Sequence, residues 1–472
     1  MVSNDIRMND MSRVGDDTEL EHPLLQDARK PKAPRGLRKF AAAFFFLGLL
    51  NNVLYVGVII LSAALDLVPP EVPKGIILFA NIFPALCVKL GWPYFVPGRV
   101  RYGRRVLVAA SNSLIPRLFG IALASFSSGL GEMTYLQLTT VFGEDSLAKL
   151  SVGWFASGTG AAGLVGAALW WELRALGVKE GLSISSILPI CMGVVYFLLL
   201  PKSNAFITTG TVEYRTISTS EEHPLEDDIL GDVASIAQSA YNEPASVATA
   251  RFSIRQKVEL AKPLFLPFML PLFVVYFAEY TVNTGVSPTL LYPLPSREAH
   301  PILASIIHKL SDYYPLWQLV YQTFVFFSRS SIVIFRIPPL PARLIPLPSI
   351  AQFLILLLGV IESTKWVFSS LVGPAYAIVA CAVLIALEGL CGGLAYVNVF
   401  LRVGLLDDED NGTDGKGLEV LEVLARREFR IACVGFADTL GILAASLFSS
   451  WLEPTLCKLQ VESGRTLCQE VQ

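Results

Sequence analysis

The sequence predicts an all-α membrane protein, a major-facilitator-like bundle of about eleven transmembrane helices in two pseudo-repeat halves. Three observations predict it. The 472 residues are 53% hydrophobic and only 16% charged, where a soluble domain carries about 25% charged residues. Apolar runs recur along the chain, each near the roughly 20 residues that cross a hydrocarbon core. A long polar stretch divides those runs into two groups.

Residues 1–39 form a polar tail, acidic at first (Asp16, Asp17, Glu19, Glu21) and basic at its end (Arg29, Lys30, Lys32, Arg35, Arg38, Lys39). It is expected to be disordered and cytosolic. No signal peptide precedes the first apolar run, which is expected to act as an uncleaved anchor. The N-terminal half, 40–200, holds apolar runs at 40–65, 75–97, 118–142, 151–171 and 181–200. Between Arg105 and Pro116 stands an apolar segment about half the length of a span, read as a truncated third helix that still crosses. Residues 201–262 are a polar loop rich in Ser, Thr, Glu and Asp, closing on the basic stretch Arg251–Lys262.

The C-terminal half, 263–452, holds runs at 263–291, 315–335, 346–362, 371–400 and 429–452, with a loop at 403–428 that carries the acids Asp407–Asp410. Residues 453–472 form a tail. If the N-terminus is cytosolic and the third helix crosses, the cytosolic segments hold most of the 37 Lys and Arg residues, as the positive-inside rule requires. The C-terminus is then non-cytosolic. An internal echo fits two parallel halves: Gly131-Glu-Met-Thr-Tyr-Leu-Gln137 in the fourth span resembles Gly392-Gly-Leu-Ala-Tyr-Val-Asn398 in the tenth.

Several functions are disfavoured. A net charge of −3 leaves no nucleic-acid footprint. Seven cysteines without a CxxC pair argue against zinc ribbons and a disulfide scaffold; Cys87, Cys191, Cys381 and Cys391 read as small core residues. No metal site and no cofactor is expected. Asp407-x-Glu409-x-Asn411-Gly412 resembles the start of a calcium loop, but Leu418 stands where the twelfth-position Glu belongs. The four histidines lie outside the apolar runs and no Ser-His-Asp arrangement is visible, so the chain is not expected to be an enzyme. Asn411-Gly-Thr413 is a glycosylation sequon expected to stay in the cytosol, unmodified. Glu21-His-Pro-Leu24-Leu25 has the form of an acidic di-leucine sorting signal.

Ionisable residues inside apolar runs point to chemistry, because each costs about 2.5–3.5 kcal/mol to insert and must face a cavity or a partner. Glu132, Glu279, Glu388 and Asp438 sit mid-run, opposed by the cations Lys89 and Arg329. Asn51, Asn52, Asn283, Gln318, Gln322 and Asn398 add amides. One reading is a midplane cavity that binds a small polar solute and passes protons, with Glu132, Glu279, Glu388, Asp438, Lys89, Arg329, Asn52, Asn283 and Asn398 lining it. The other is interhelical glue: ion pairs such as Glu132 with Lys89, cations snorkelling to the interface, and amide bridges. Tyr276, Tyr280, Tyr321 and Tyr396 read as packing. In the fifth span Gly158, Ala162 and Gly166, with Gly163 beside them, form a small-residue stripe that lets helix backbones approach.

Taken together, these runs resemble the battenin (Batten-disease protein) family and its fungal vacuolar members. The matching segments are Leu47-Gly-Leu-Leu-Asn-Asn52, Ser127-Ser-Gly-Leu-Gly-Glu-Met-Thr134, Trp154-Phe-Ala-Ser-Gly-Thr-Gly-Ala-Ala-Gly163, Tyr276-Phe-Ala-Glu-Tyr280, Tyr321-Gln322 with Ser328-Arg-Ser-Ser331, Glu388-Gly-Leu-Cys-Gly-Gly-Leu-Ala-Tyr-Val-Asn398 and Asp438-Thr-Leu-Gly-Ile442. They lie in order over roughly 40–200 and 263–450. The resemblance implies a multi-pass protein of the vacuolar or lysosomal membrane with a major-facilitator-like fold. It implies roles in vacuolar pH homeostasis and arginine transport and, for animal members, export of glycerophosphodiesters. The chain departs from the family in its short third span and in lacking a terminal prenylation box; Cys457-Lys-Leu-Gln460 resembles that box but is not terminal. The rival expectation is a membrane adaptor that acts on the proton pump or on trafficking partners through its cytosolic loops.

Overall fold

The structure, a computed structural model, describes residues 35–53, 72–95, 114–140, 145–173, 180, 187–200, 252–404 and 418–470. The sorting motif at Glu21, Leu24 and Leu25, the truncated third span up to Ser113, the Asn411 sequon and the side chain of Lys89 lie outside the described residues. Among the described residues the regular structure is entirely helical.

The N-terminal half contributes α1 (Arg35–Asn52), α2 (Lys74–Phe95), α3 (Leu114–Thr140), α4 (Asp145–Leu173) and the short α5 (Leu188–Val194). The C-terminal half contributes α6 (Ile254–Leu264), α7 (Leu270–Thr281), α8 (Pro301–Ile306), α9 (Tyr313–Arg329), α10 (Pro346–Lys365), α11 (Val367–Val372), α12 (Pro374–Val403) and α13 (Leu418–Glu462). Among the described residues, five stretches are long and apolar enough to cross a membrane: Leu150–Leu169, Arg255–Thr289, Ala342–Lys365, Pro374–Val403 and Phe429–Glu462. Lys74–Cys87 and Ile190–Leu199 are shorter apolar helices.

Polarity is arranged for lipid. Leu198, Phe197, Ile350, Leu447 and Trp451 are exposed, while Asn51, Ser128, Glu279, Gln318, Glu388 and Asn398 are buried. Cys87 and Cys191 lie on the exposed surface, not in the core, whereas Cys381 is buried and Cys391 half-buried.

Helices outrun their apolar segments. Ser253 caps α6 in a capping box with Gln256, so helix begins inside the expected loop and absorbs the basic stretch. Pro263, Pro267 and Pro271 each lack an N–H, and the wide π-type turn Phe265–Met269 joins α6 to α7 through them. At the other end α13 passes 452 and runs on to Glu462. Beyond it the chain folds back, and a disulfide joins Cys457 to Cys468. No CxxC spacing announces this bond: the two cysteines lie 11 residues apart, and the turn after α13 brings them together. Gln460 Nε2 donates to the carbonyls of Thr289 (2.9 Å) and Ser363 (2.8 Å), and Arg465 lies over the Trp366 ring and donates to Thr364. The tail is thereby fastened to the turn that follows α7 and to the end of α10.

The two halves repeat one packing scheme. In the first, α1 packs on α4, and a β-carbon at Gly158 would strike the carbonyl of Phe45 and approach the amide of Leu49. In the second, α7 packs on α13, and a β-carbon at Gly441 would meet the carbonyl of Phe273 and the amide of Phe277. The interval from Phe45 to Leu49 equals that from Phe273 to Phe277. Gly131 lies against the Asn51 side chain, and Gly392, its counterpart in the sequence echo, lies against Glu279. Asn51 and Glu279 again fall at equal intervals beyond Phe45 and Phe273. Across the halves α4 packs on α9 and α2 packs on α13.

Candidate functional site

Arg329 closes the last turn of α9 and points inward, between the halves. Its Nη1 donates to Thr159 Oγ1 of α4 at 2.9 Å and its Nη2 to the Tyr276 hydroxyl of α7 at 3.1 Å. Its guanidinium carbon lies 4.3 Å from the centre of the Tyr396 ring on α12. Nε is buried with no hydrogen-bond partner among the described residues. This is not a snorkelling side chain: both halves supply its ligands. Gly160 lets α4 approach this closely, since a β-carbon there would sit 3.2 Å from the Arg329 Cβ.

Carboxylates hydrogen-bond tyrosines of the same region. The Tyr396 hydroxyl donates to Glu132 Oε1 at 3.3 Å, joining the two echo segments across the half–half boundary. Asp438 is buried on α13, accepts from Thr439 Oγ1 at 2.7 Å, and its charge reaches both Tyr276 and Tyr396. Glu279 is buried on α7 and accepts from the Tyr321 hydroxyl. Glu388, buried on α12, accepts from Asn283 Nδ2 at 3.0 Å, and Gln318 Nε2 donates to Asn283 Oδ1 at 3.0 Å.

The other expected residues fall elsewhere. Asn52 Oδ1 accepts from Ser128 Oγ at 3.0 Å, so it ties α1 to α3. Asn398 Oδ1 accepts from the Leu340 amide at 2.7 Å and anchors the segment before α10. Gly158 faces α1; Gly163 faces the Gln322 side chain of α9, and Ala162 and Gly166 are buried along the same helix. The structure also brings in residues that the sequence reading left out. Tyr276, Tyr321 and Tyr396, read as packing, each hydrogen-bond a charged group. Glu362 and Glu453 are two further buried carboxylates. Glu362 accepts from the Tyr292 hydroxyl and the Phe368 amide, both at 2.7 Å, and Glu453 from the Lys74 amide at 2.6 Å. Each sits at a helix N-terminus, where the helix dipole favours an anion. No group of three His, Cys, Asp or Glu side chains able to hold a metal occurs among the described residues.

The arrangement offers a ligand one guanidinium, several hydroxyls and at least two carboxylates at the junction of two bundles. That set can recognise a small polar solute bearing charges of both signs.

Comparison with known proteins shows the family. Residues 42–459 match the family described as CLN3 protein. The chain is 44% identical to Protein BTN1 of Mycosarcoma maydis over 91% of its own length and 88% of the relative's. It is 41% identical to Protein BTN1 of Cryptococcus neoformans, covering 92% of this chain and 96% of that one. Among solved structures it is similar to the human organic anion transporter MFSD10, at 13% identity and a TM-score of 0.45 over 92% of this chain and 98% of that chain. The two-bundle arrangement rests on the repeated packing described above and not on that likeness. By the family match and by the identity to its fungal relatives, the chain belongs to the CLN3 protein family, the battenin family that its motifs resemble.

Proposed function

We propose that this multi-pass, transporter-like protein moves a basic amino acid, arginine in the first instance, across the vacuolar membrane by alternating access, and that it thereby contributes to vacuolar pH homeostasis. The observation that carries this is Arg329: half-buried between the halves, held by residues of both, and linked through Tyr276 and Tyr396 to Glu132 and Asp438. In the proposed cycle Arg329 takes the α-carboxylate of the solute. Glu132 and Asp438 take its cationic groups. Rocking of one half against the other about α4–α9 and α2–α13 exposes the site to each side in turn.

The full span count is taken as eleven, with the N-terminus cytosolic. The Cys457–Cys468 disulfide supports a C-terminus on the non-cytosolic side, because disulfides persist in oxidising compartments.

A second reading follows from the unpartnered Nε of Arg329: an anionic solute such as a glycerophosphodiester, its phosphate held by the guanidinium. Uptake by vacuoles purified from cells lacking the protein, and from cells rescued with wild type or with Glu132→Gln, separates the two. The amino-acid reading predicts that wild type restores arginine uptake and that Glu132→Gln, which removes an anion, does not. Restored arginine uptake by both would count against it. Glycerophosphodiester flux that rises in Glu132→Gln would favour the second reading.

A further inference from the structure

Glu279 and Glu388 are buried carboxylates that cap no helix. Glu362 and Glu453 each hold a helix N-terminus, but Glu279 lies in the last turn of α7, where the helix runs on into the π-type turn Val282–Val286, and Glu388 lies in the middle of α12. They are 1% and 0% exposed. Each has one oxygen held, Glu279 by Tyr321 and Glu388 by Asn283, and each has its Oε2 buried with no hydrogen-bond partner among the described residues. Asn283 binds the two together: its Nδ2 donates to Glu388 Oε1 at 3.0 Å and to the Glu279 carbonyl at 3.2 Å, while Gln318 fixes its Oδ1 as acceptor.

The pseudo-repeat shows that packing does not require this pair. Asn51 stands at the Glu279 position, against Gly131 as Glu279 stands against Gly392. Ser127 precedes Gly131 by the same interval at which Glu388 precedes Gly392. The N-terminal half makes the same helix contacts with a neutral amide and a hydroxyl. In the C-terminal half both positions are acids, and an ionised acid in hydrocarbon is costly.

We infer that Glu279 and Glu388 form a proton-binding site within the C-terminal half, beside Arg329 and coupled to it. This rests on the transport reading above. The proton adds at the unpartnered Oε2 of either residue and leaves from the same atom, so only an O–H bond is made and broken. The titratable and charged groups around the pair are Tyr276 and Tyr280 of α7, Tyr321 and Arg329 of α9, Cys391 and Tyr396 of α12, and Asp438 of α13; on α10 the buried Glu362 is turned away to Tyr292. The charge on Glu279 reaches Arg329, and Glu279 lies one turn from Tyr276, which Arg329 holds. A proton on the pair and a cationic solute bound beside Arg329 therefore compete for one negative field, and the cycle exchanges one for the other.

The test needs no substrate. Infrared difference spectra of the purified full chain in lipid nanodiscs, recorded between pH 5 and pH 8, are compared for wild type, Glu279→Gln, Glu388→Gln and the double variant. The expected result is a carboxylic-acid carbonyl band that grows at low pH in wild type, shifts or weakens in each single variant and is lost in the double variant. Thermal unfolding of the same samples should show wild type losing stability as pH rises and a flatter profile in whichever Gln variants fold. A carbonyl band and a stability profile that the Gln variants leave unchanged would overturn the proposal. If the band is lost as expected but wild type moves no arginine, the proton site stands and the arginine reading fails.

Discussion

At the scale of single residues, the side chains that matter are those whose polar atoms meet across helices. Arg329 is held through both terminal nitrogens by Thr159 and Tyr276, a planar fork that a lysine cannot reproduce. Arg329→Lys keeps the charge and loses the fork. Its expected effect is a roughly ten- to hundred-fold loss of affinity for arginine, the equivalent of one charge-assisted hydrogen bond of about 1.5–3 kcal/mol, read as KM for uptake. Glycines offer a cleaner contrast. A β-carbon at Gly158 would run into the Phe45 carbonyl, whereas one at Gly193 meets nothing within 4 Å. Gly158→Ala should destabilise the purified protein by about 1–3 kcal/mol through overpacking, and Gly193→Ala should leave its melting temperature near wild type. The carboxylates and Arg329 were legible in the sequence because an ionisable group is conspicuous in an apolar run. Their tyrosine partners were not, because a tyrosine in such a run reads equally well as packing. Glu362 and Glu453 were missed because they sit at the ends of runs, where charge excites no attention.

At the scale of elements, hydrophobic length located the spans, while caps and kinks decided where helices begin and end. Ser253 starts α6 in polar sequence, and α13 carries on past the apolar run, through Pro454, to Glu462. A reading that stops at the first charges necessarily cuts such helices short. Beyond α13, the Cys457–Cys468 disulfide and the bonds of Gln460 and Arg465 fasten the tail to the ends of neighbouring spans. Cys457, buried and disulfide-bonded, is not placed as a prenylation site. Two expectations follow. A thiol reagent should label Cys457 and Cys468 only after reduction, as read by peptide mass. Replacing both by Ser should lower the melting temperature, since a cross-link closing a loop of this size stabilises by about 2–4 kcal/mol.

At the scale of the whole molecule, the two halves meet along α4–α9 and α2–α13 with small residues in the seam. Ser157 Oγ of α4 lies 2.8 Å from Ser330 Oγ, just past the end of α9. Cysteines at these two positions should cross-link in this state and arrest transport, with activity returning on reduction; unchanged flux in a fully cross-linked sample would mean that this seam does not move. The pseudo-repeat was only faintly legible as a seven-residue echo. Its proof is spatial: Phe45 and Phe273, Asn51 and Glu279 occupy equivalent places with no sequence identity beyond the phenylalanine. Helix packing conserves the spacing of small residues, while the polar side chains that give each half its chemistry are free to differ.

The most direct test of the central claim is uptake of labelled arginine into proteoliposomes that contain this protein alone, wild type beside Arg329→Lys. The account predicts accumulation by wild type well above protein-free vesicles, and a variant weakened by roughly ten-fold or more. No flux by well-folded wild type, or equal flux by both proteins, would contradict it and would move the adaptor reading ahead of the transporter.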